Sequence, residues 1–213
     1  MKLPSVARWM AACALACASG VHALPFEADV ALDTSALAGP FEVAFALTDG
    51  SGTGDANIHV VLSDLQFAGG SPGAMDAALT FGGVTGDLAS AVEMVDSTFL
   101  NVFASSFLPG ASFSFHVAVN GTTDAGGTPD QLAMVLLRAD GTLVDSTDPS
   151  GAGSLLTLAF AGPQPAVAAF AGALTPAPSV QLATPVPEPG SLVLFAAALA
   201  AVRMARRRRG GDA

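Results

Sequence analysis

Apolar residues return at every second position in several stretches of this chain. Phe26, Ala28, Val30 and Leu32 alternate with Glu27, Asp29, Ala31 and Asp33, and Phe41, Val43, Phe45 and Leu47 repeat the pattern. The clearest case is Phe113, Phe115, Val117 and Val119, with Ser112, Ser114 and His116 on the opposite phase. Period two sends successive side chains to opposite faces of a strand, so these stretches predict half-buried antiparallel strands. Ile58 to Leu62, Gln131 to Leu137 and Leu155 to Phe160 are more continuously apolar and predict strands lying deeper. No stretch carries a helical period of the required length. Turn signals fall between the strands at Asp49-Gly50, Gly69-Gly70, Asn120-Gly121 and Asp140-Gly141, the last two being hairpin candidates. The pattern predicts an all-β domain over residues 24–174, an antiparallel β-sandwich with a jelly roll as the nearest alternative, and leaves the strand order open.

The two ends break this pattern. Lys2 and Arg8 precede the apolar run Trp9 to Ala18, and Val21-His22-Ala23 places small residues where a signal peptidase reads them. Residues 1–23 therefore read as a secretory signal peptide, cut between Ala23 and Leu24. Cys17 follows Ala14-Leu15-Ala16, which is the wrong order for a lipoprotein signal. Residues 175–185 form a proline-rich segment whose spacing excludes helix and central strand, and so predict an extended linker. From 186 onward the order is Val186-Pro187-Glu188-Pro189, an uncharged segment from Leu192 to Val202, and Arg203 with the run Arg206, Arg207, Arg208 and Arg209. The arginines hold the end in the cytoplasm by the positive-inside rule. Eleven residues at 1.5 Å rise form a short hydrophobic helix of about 17 Å, against a hydrocarbon core of roughly 30 Å. That length suits a transient membrane stop better than a permanent transmembrane helix.

Charge sharpens the picture. Sixteen of the 18 acidic residues but only one of the eight basic residues, Arg138, lie between Leu24 and Pro187, a formal charge of about −15. Binding to nucleic acid or to anionic lipid depends on Lys and Arg, so neither partner is expected. Cys13 and Cys17 are the only cysteines, and both lie in the leader. A disulfide framework, a thiol nucleophile and a cysteine zinc site are thereby excluded for the exported domain. Its stability must come from an apolar core.

The tripartite order at the C-terminus, together with an N-terminal signal peptide, resembles the PEP-CTERM sorting signal. The resemblance implies a Gram-negative bacterium rich in exopolysaccharide and export through the inner membrane by the secretion machinery and signal peptidase. It also implies a membrane-anchored precursor that exosortase processes near Pro187-Glu188-Pro189 before the protein reaches the cell surface or medium. The middle, through Phe41 to Gly50, Phe107 to Phe115 and Pro129-Asp130-Gln131-Leu132, resembles a recurring group of PEP-CTERM proteins without assigned activity, and carries over no functional residue.

Candidate chemistry is sparse. Gly69-Gly70-Ser71-Pro72-Gly73 matches the Gly-x-Ser-x-Gly nucleophile elbow, but Pro72 lacks the N–H that such a turn donates to an oxyanion, and a glycine-rich surface loop is the expectation. His59 and His116 fall inside strands and read as surface or strand residues. The oxygen-rich loops Asp49 to Asp55 and Asp145 to Asp148 make Asp49, Asp55, Asp145 and Asp148 the candidate ligands for calcium; neither has EF-hand spacing. No catalytic residue is assigned. The expectation is a non-enzymatic surface or extracellular-matrix protein associated with exopolysaccharide or biofilm. A carbohydrate-binding module is the first alternative, weakened by the absence of Tyr and the restriction of Trp to Trp9, and a hydrolase is the second.

Overall fold

A computed structural model of the chain describes residues 26–122, 128–162 and 164–183. The signal peptide and the sorting tail fall outside the described residues. Among the described residues all regular structure is β. Twelve strands form two six-stranded antiparallel sheets packed face to face, so the domain is a β-sandwich.

The strands, in chain order, are β1 (Phe26–Asp33), β2 (Phe41–Thr48), β3 (Ile58–Ala68), β4 (Ser71–Met75), β5 (Gly83–Gly86), β6 (Val92–Val95), β7 (Leu100–Leu108), β8 (Ser112–Gly121), β9 (Asp130–Arg138), β10 (Leu156–Phe160), β11 (Ala166–Ala169) and β12 (Ser179–Leu182). The first sheet runs β12-β1-β8-β3-β6-β5, and the second β11-β10-β9-β2-β7-β4. The period-two stretches take the expected faces. Phe26, Ala28, Val30 and Leu32 point inward from β1, meeting Val43, Phe45 and Leu47 of β2 and Phe113, Phe115, Val117 and Val119 of β8 in one core. Five phenylalanines tie the sheets together. Phe67 stacks on Phe113 with centroids 4.8 Å apart, Phe107 of the opposite sheet lies 5.8 Å from both, and Phe45 meets Phe115 edge-on at 5.2 Å. Edge and offset contacts of this kind add to the apolar area buried.

β3 continues six residues beyond the predicted Leu62. Its apolar phase changes from the even positions Ile58, Val60 and Leu62 to the odd positions Leu65 and Phe67. A β-bulge between Ser63 and Gln66 absorbs the change, with Asp64 in the left-handed region at φ 51°. Aspartate tolerates that conformation better than most residues. The extra residue turns Phe67 back onto the core opposite Phe113.

Two expectations are corrected. Asn120-Gly121 does not turn a hairpin. Both residues stay in the ladder, Asn120 opposite His59 and Gly121 opposite Ile58, and the chain then crosses to the other sheet to begin β9. The segment 175–185 is not all linker. Ser179–Leu182, the window between Pro178 and Pro185, pairs with β1 as an edge strand, and the compact unit runs to Ala183. Proline excludes a central strand but leaves an edge open between prolines. By contrast, Asp140-Gly141 does turn the chain: Gly141 donates to the Arg138 carbonyl at 2.8 Å, and Val144 donates to that of Leu136 at 2.8 Å.

Gly69-Gly70 and Pro109-Gly110 are the points where the chain changes sheet, between β3 and β4 and between β7 and β8. The two corners lie back to back. Ala111 donates to the Ala68 carbonyl at 2.7 Å, and the Thr34 hydroxyl donates to that of Gly110 at 2.9 Å. A Cβ on Gly110 would stand 2.1 Å from the Ala68 oxygen, and one on Gly70 2.2 Å from the Leu108 oxygen, so only glycine allows the approach.

Candidate functional site

The outer face of the first sheet carries a shallow groove of about 240 Å³ lined by Asp29, Asp64, Ser114, His116, Ser179 and Gln181 among others. Strand register assembles it. Gln181, Asp29, His116 and Ser63 form one row across β12, β1, β8 and β3, and Ser179, Ala31, Ser114 and Gln66 form the next. His116 Nδ1 lies 2.9 Å from Asp29 Oδ1, with the carboxylate 74% exposed. His59, elsewhere on the same sheet, approaches Glu93 at 3.8 Å. The structure thus brings a serine, a histidine and an aspartate into one groove. Ser114 and His116 are two residues apart on one strand, which sets their Cα atoms about 7 Å apart, and their side chains share no hydrogen bond. The contact of roughly 3 Å through which a base activates a serine is not made. Ser71, from the elbow-like segment, opens the edge strand β4 opposite Leu108, with Pro72 opposite Phe107 and no helix following. A glycine-rich loop is therefore only part of that segment's structure.

The four calcium candidates do not come together, and among the described residues no set of three His, Cys, Asp or Glu side chains is placed to hold a metal. Asp49 is fully buried, and its carboxylate is already occupied. Oδ1 accepts from the Ser51 N–H and hydroxyl, both at 2.7 Å, and from Gly52 N–H at 3.1 Å, while Oδ2 accepts from Gly54 N–H. Burial raises its pKa, but the Ser51 hydroxyl and the three N–H donors together outweigh burial and hold the carboxyl below its usual range. Asp49 thus shapes the loop that follows β2. Asp55 is exposed and accepts from Asn57. Asp148 is likewise taken up by Ser150 and the Ser154 N–H, whose bonds lower its pKa, and Asp145 is exposed on the same loop.

The structure buries two further aspartates at the Asp49 end of the sandwich. Asp130, at the start of β9, accepts from Gly50 N–H at 2.7 Å. Asp96, just after β6, accepts from Ile58 N–H at 3.0 Å through Oδ1, while Oδ2 is buried without a hydrogen-bond partner. Burial is the main reason that the Asp96 carboxyl is pushed up to about 6, with the negative charges of Asp130 and Asp55 adding to it. The sequence signal for both residues was present but faint. Each aspartate borders an apolar strand, where a turn residue is ordinary, and nothing local marks the carboxylate as enclosed.

The sorting residues Val186, Pro187, Glu188 and Pro189, the arginines Arg203 and Arg206 to Arg209, and the Ala23-Leu24 junction lie outside the described residues. No helix among the described residues is long and apolar enough to cross a membrane. No curated protein matches the chain. The family of the PEP-CTERM protein-sorting motif matches residues 185–209, the span over which the Pro-Glu-Pro, the uncharged segment and the arginines follow one another. The chain thus carries a PEP-CTERM protein-sorting motif at residues 185–209, which indicates an exported protein targeted to exosortase.

Proposed function

We propose that this protein is a non-enzymatic component of the cell surface or extracellular matrix, released from a membrane-held precursor by exosortase and associated with exopolysaccharide or biofilm. The observation that carries the reading is the sorting motif at 185–209, in a chain whose β-sandwich has its own core and ends at Ala183. The motif specifies handling at the membrane. By composition, its prolines disfavour helix and sheet pairing at the site an enzyme must reach, its uncharged segment suits a stop at membrane level, and its arginines disfavour translocation. Glu188 is the ionisable group available there for recognition. The signal peptide, with its cut between Ala23 and Leu24, and a Gram-negative host belong to the same reading.

The test is to express the chain with and without a cognate exosortase and to identify its C-terminal peptide by mass spectrometry. Loss of the segment containing Arg206 to Arg209 only when exosortase is present is expected. An intact arginine tail in both pools would overturn the reading.

A carbohydrate-binding module is the second reading, and the groove around His116 favours it. Asp29, Asp64, Ser114 and Gln181 offer acceptors and donors suited to sugar hydroxyls. Binding of the purified protein to a glycan array, abolished by Asp29→Ala together with His116→Ala, is the result this reading expects.

A further inference from the structure

The two outer faces of the sandwich differ in chemistry. That of the first sheet carries five exposed acidic residues, Glu27, Asp29, Asp33, Asp64 and Glu93. The second sheet turns Val43, Phe45 and Leu47 of β2 and Leu132, Met134 and Leu136 of β9 inward, so the residues between them face out. Register lines up Phe81, Val102, Ala46, Ala133, Thr157 and Ala168 in one row across this sheet. The row holds one hydroxyl and no charge. Ala44 and Val135 lie in the next row, and Leu137 and Leu143 beyond it. Among the described outward positions of β2, β7, β9, β10 and β11, the one ionisable residue is Glu42.

A sheet with one face in water normally alternates apolar and polar residues. Here the side away from the core is apolar as well. Ala46, Val102, Ala133, Val135 and Leu137 are half-buried, and Phe81 and Leu143 at the margins are 49% and 42% exposed. A contiguous apolar face of this kind marks an interaction surface. Most of its side chains are short, which lets another sheet approach to the roughly 10 Å at which sheets stack. Six strand positions span about 24 Å, and the eight residues of β2 span about 27 Å. The face therefore measures about 650 Å², or about 1,300 Å² over two copies, which reaches the range of roughly 1,200–2,000 Å² buried in stable interfaces.

We infer that this face pairs with the same face of a second copy of the chain, the two sheets stacking apolar side to apolar side about a twofold axis. An apolar, nearly uncharged surface is complementary to itself, as an isologous contact requires. Charge favours this surface over any other for self-association. With a formal charge of about −15 between Leu24 and Pro187, two copies repel, and pairing through the second sheets leaves the five acids of each first sheet on the far sides. Glu42 lies toward one margin, lining a groove of about 290 Å³ with Asp76, Ser106 and Arg138, two rows away from Ala46 and Ala133.

The experiment is sedimentation equilibrium of the purified full chain, from about 1 to 200 µM, in about 150 mM and 500 mM NaCl. Wild type is expected to dimerise with a micromolar Kd that tightens severalfold in the higher salt, which screens the like charges of the two copies. Ala133→Glu sets a carboxylate in the middle of the face and should weaken the dimer more than tenfold. Thr157→Glu, nearer the sheet edge, should do the same and serves if circular dichroism shows Ala133→Glu unfolded. Ala68→Glu, which adds the same charge at an exposed position on the first sheet, should keep Kd within about twofold. A monomer at every concentration overturns the pairing, and one that instead sediments with phosphatidylcholine vesicles, but not as Ala133→Glu, would give the face to a lipid surface. A dimer that survives in the folded Glu variants of the second sheet, or that salt loosens, is held by another part of the chain and overturns it too.

Discussion

Alanine at Gly110 tests whether the back-to-back corners hold this sandwich together. The new Cβ would lie 2.1 Å from the Ala68 oxygen, 2.4 Å from the Gly70 nitrogen and 2.6 Å from the Gly69 carbonyl carbon. All three are backbone atoms, so no rotamer change relieves the contact. Reaching an ordinary separation of about 3.4 Å requires the corners to part by about 1.3 Å. A shift of that size sacrifices three hydrogen bonds: Ala111 N–H to Ala68 at 2.7 Å, the Thr34 hydroxyl to Gly110 at 2.9 Å, and Thr34 N–H to Ala111 at 3.1 Å. At about 1 kcal/mol net for each, the loss is about 3 kcal/mol. For a domain of this size it lowers the midpoint by roughly 6–12 °C.

Two controls separate close approach from backbone conformation. Gly39 has φ +85° and open space around it, so Ala there carries only the left-handed cost of about 1 kcal/mol. Gly162 has open space and no such φ, so Ala there is neutral or stabilises by at most about 1 kcal/mol. The domain lacks Tyr, and Trp9 is the only Trp, so the melts must be followed by calorimetry or far-ultraviolet circular dichroism. A Gly110→Ala midpoint within about 2 °C of wild type, or no lower than that of Gly39→Ala, would refute the corner argument.

Phe113→Ala empties the centre of the aromatic cluster and should cost about 3–5 kcal/mol, read as a lower urea midpoint at unchanged slope. Asp49→Asn presents an NH₂ group where the carboxylate accepted from N–H donors, and should cost about 1–3 kcal/mol near pH 6. Because the folded carboxyl titrates below its unfolded value, that difference from wild type is present above about pH 4 and shrinks as the pH falls further, as a pH series of melts would show. His116→Ala removes a pair whose carboxylate is largely exposed, so stability should change by less than about 1 kcal/mol.

Faces were legible in the sequence where one strand sees the core on one side and water on the other. β1 and β8 follow their period-two pattern residue by residue, and β2 does so except at Ala44, which is buried as well. β3 was legible only to Leu62, because the bulge at Asp64 reverses the phase and looks like the end of a strand. β4, β5, β11 and β12 are short strands, and most of their residues are exposed or half-buried, so no alternation announces them. The groove around His116 was half visible. Ser112, Ser114 and His116 share a phase on β8, but Asp29 and Gln181 join them only through register with β1 and β12.

By itself the sequence determined what local chemistry can encode: the apolar faces, the absence of thiols and lysines from the exported stretch, the acidic balance, and the order of parts in the sorting tail. Only the tertiary structure decided which strands are neighbours. β1 pairs with β8, β2 with β7 and β9, and β3 with β8, each across dozens of residues, because the chain keeps changing sheet. The same long-range pairing decided the fate of the aspartates. Asp49, which looked free to bind a cation, is satisfied by its own loop, and Asp96, which no sequence signal singled out, is enclosed, with the charges of Asp130 and Asp55 acting on it. Burial and the sign of neighbouring charges are properties of packing, and no window of sequence contains them.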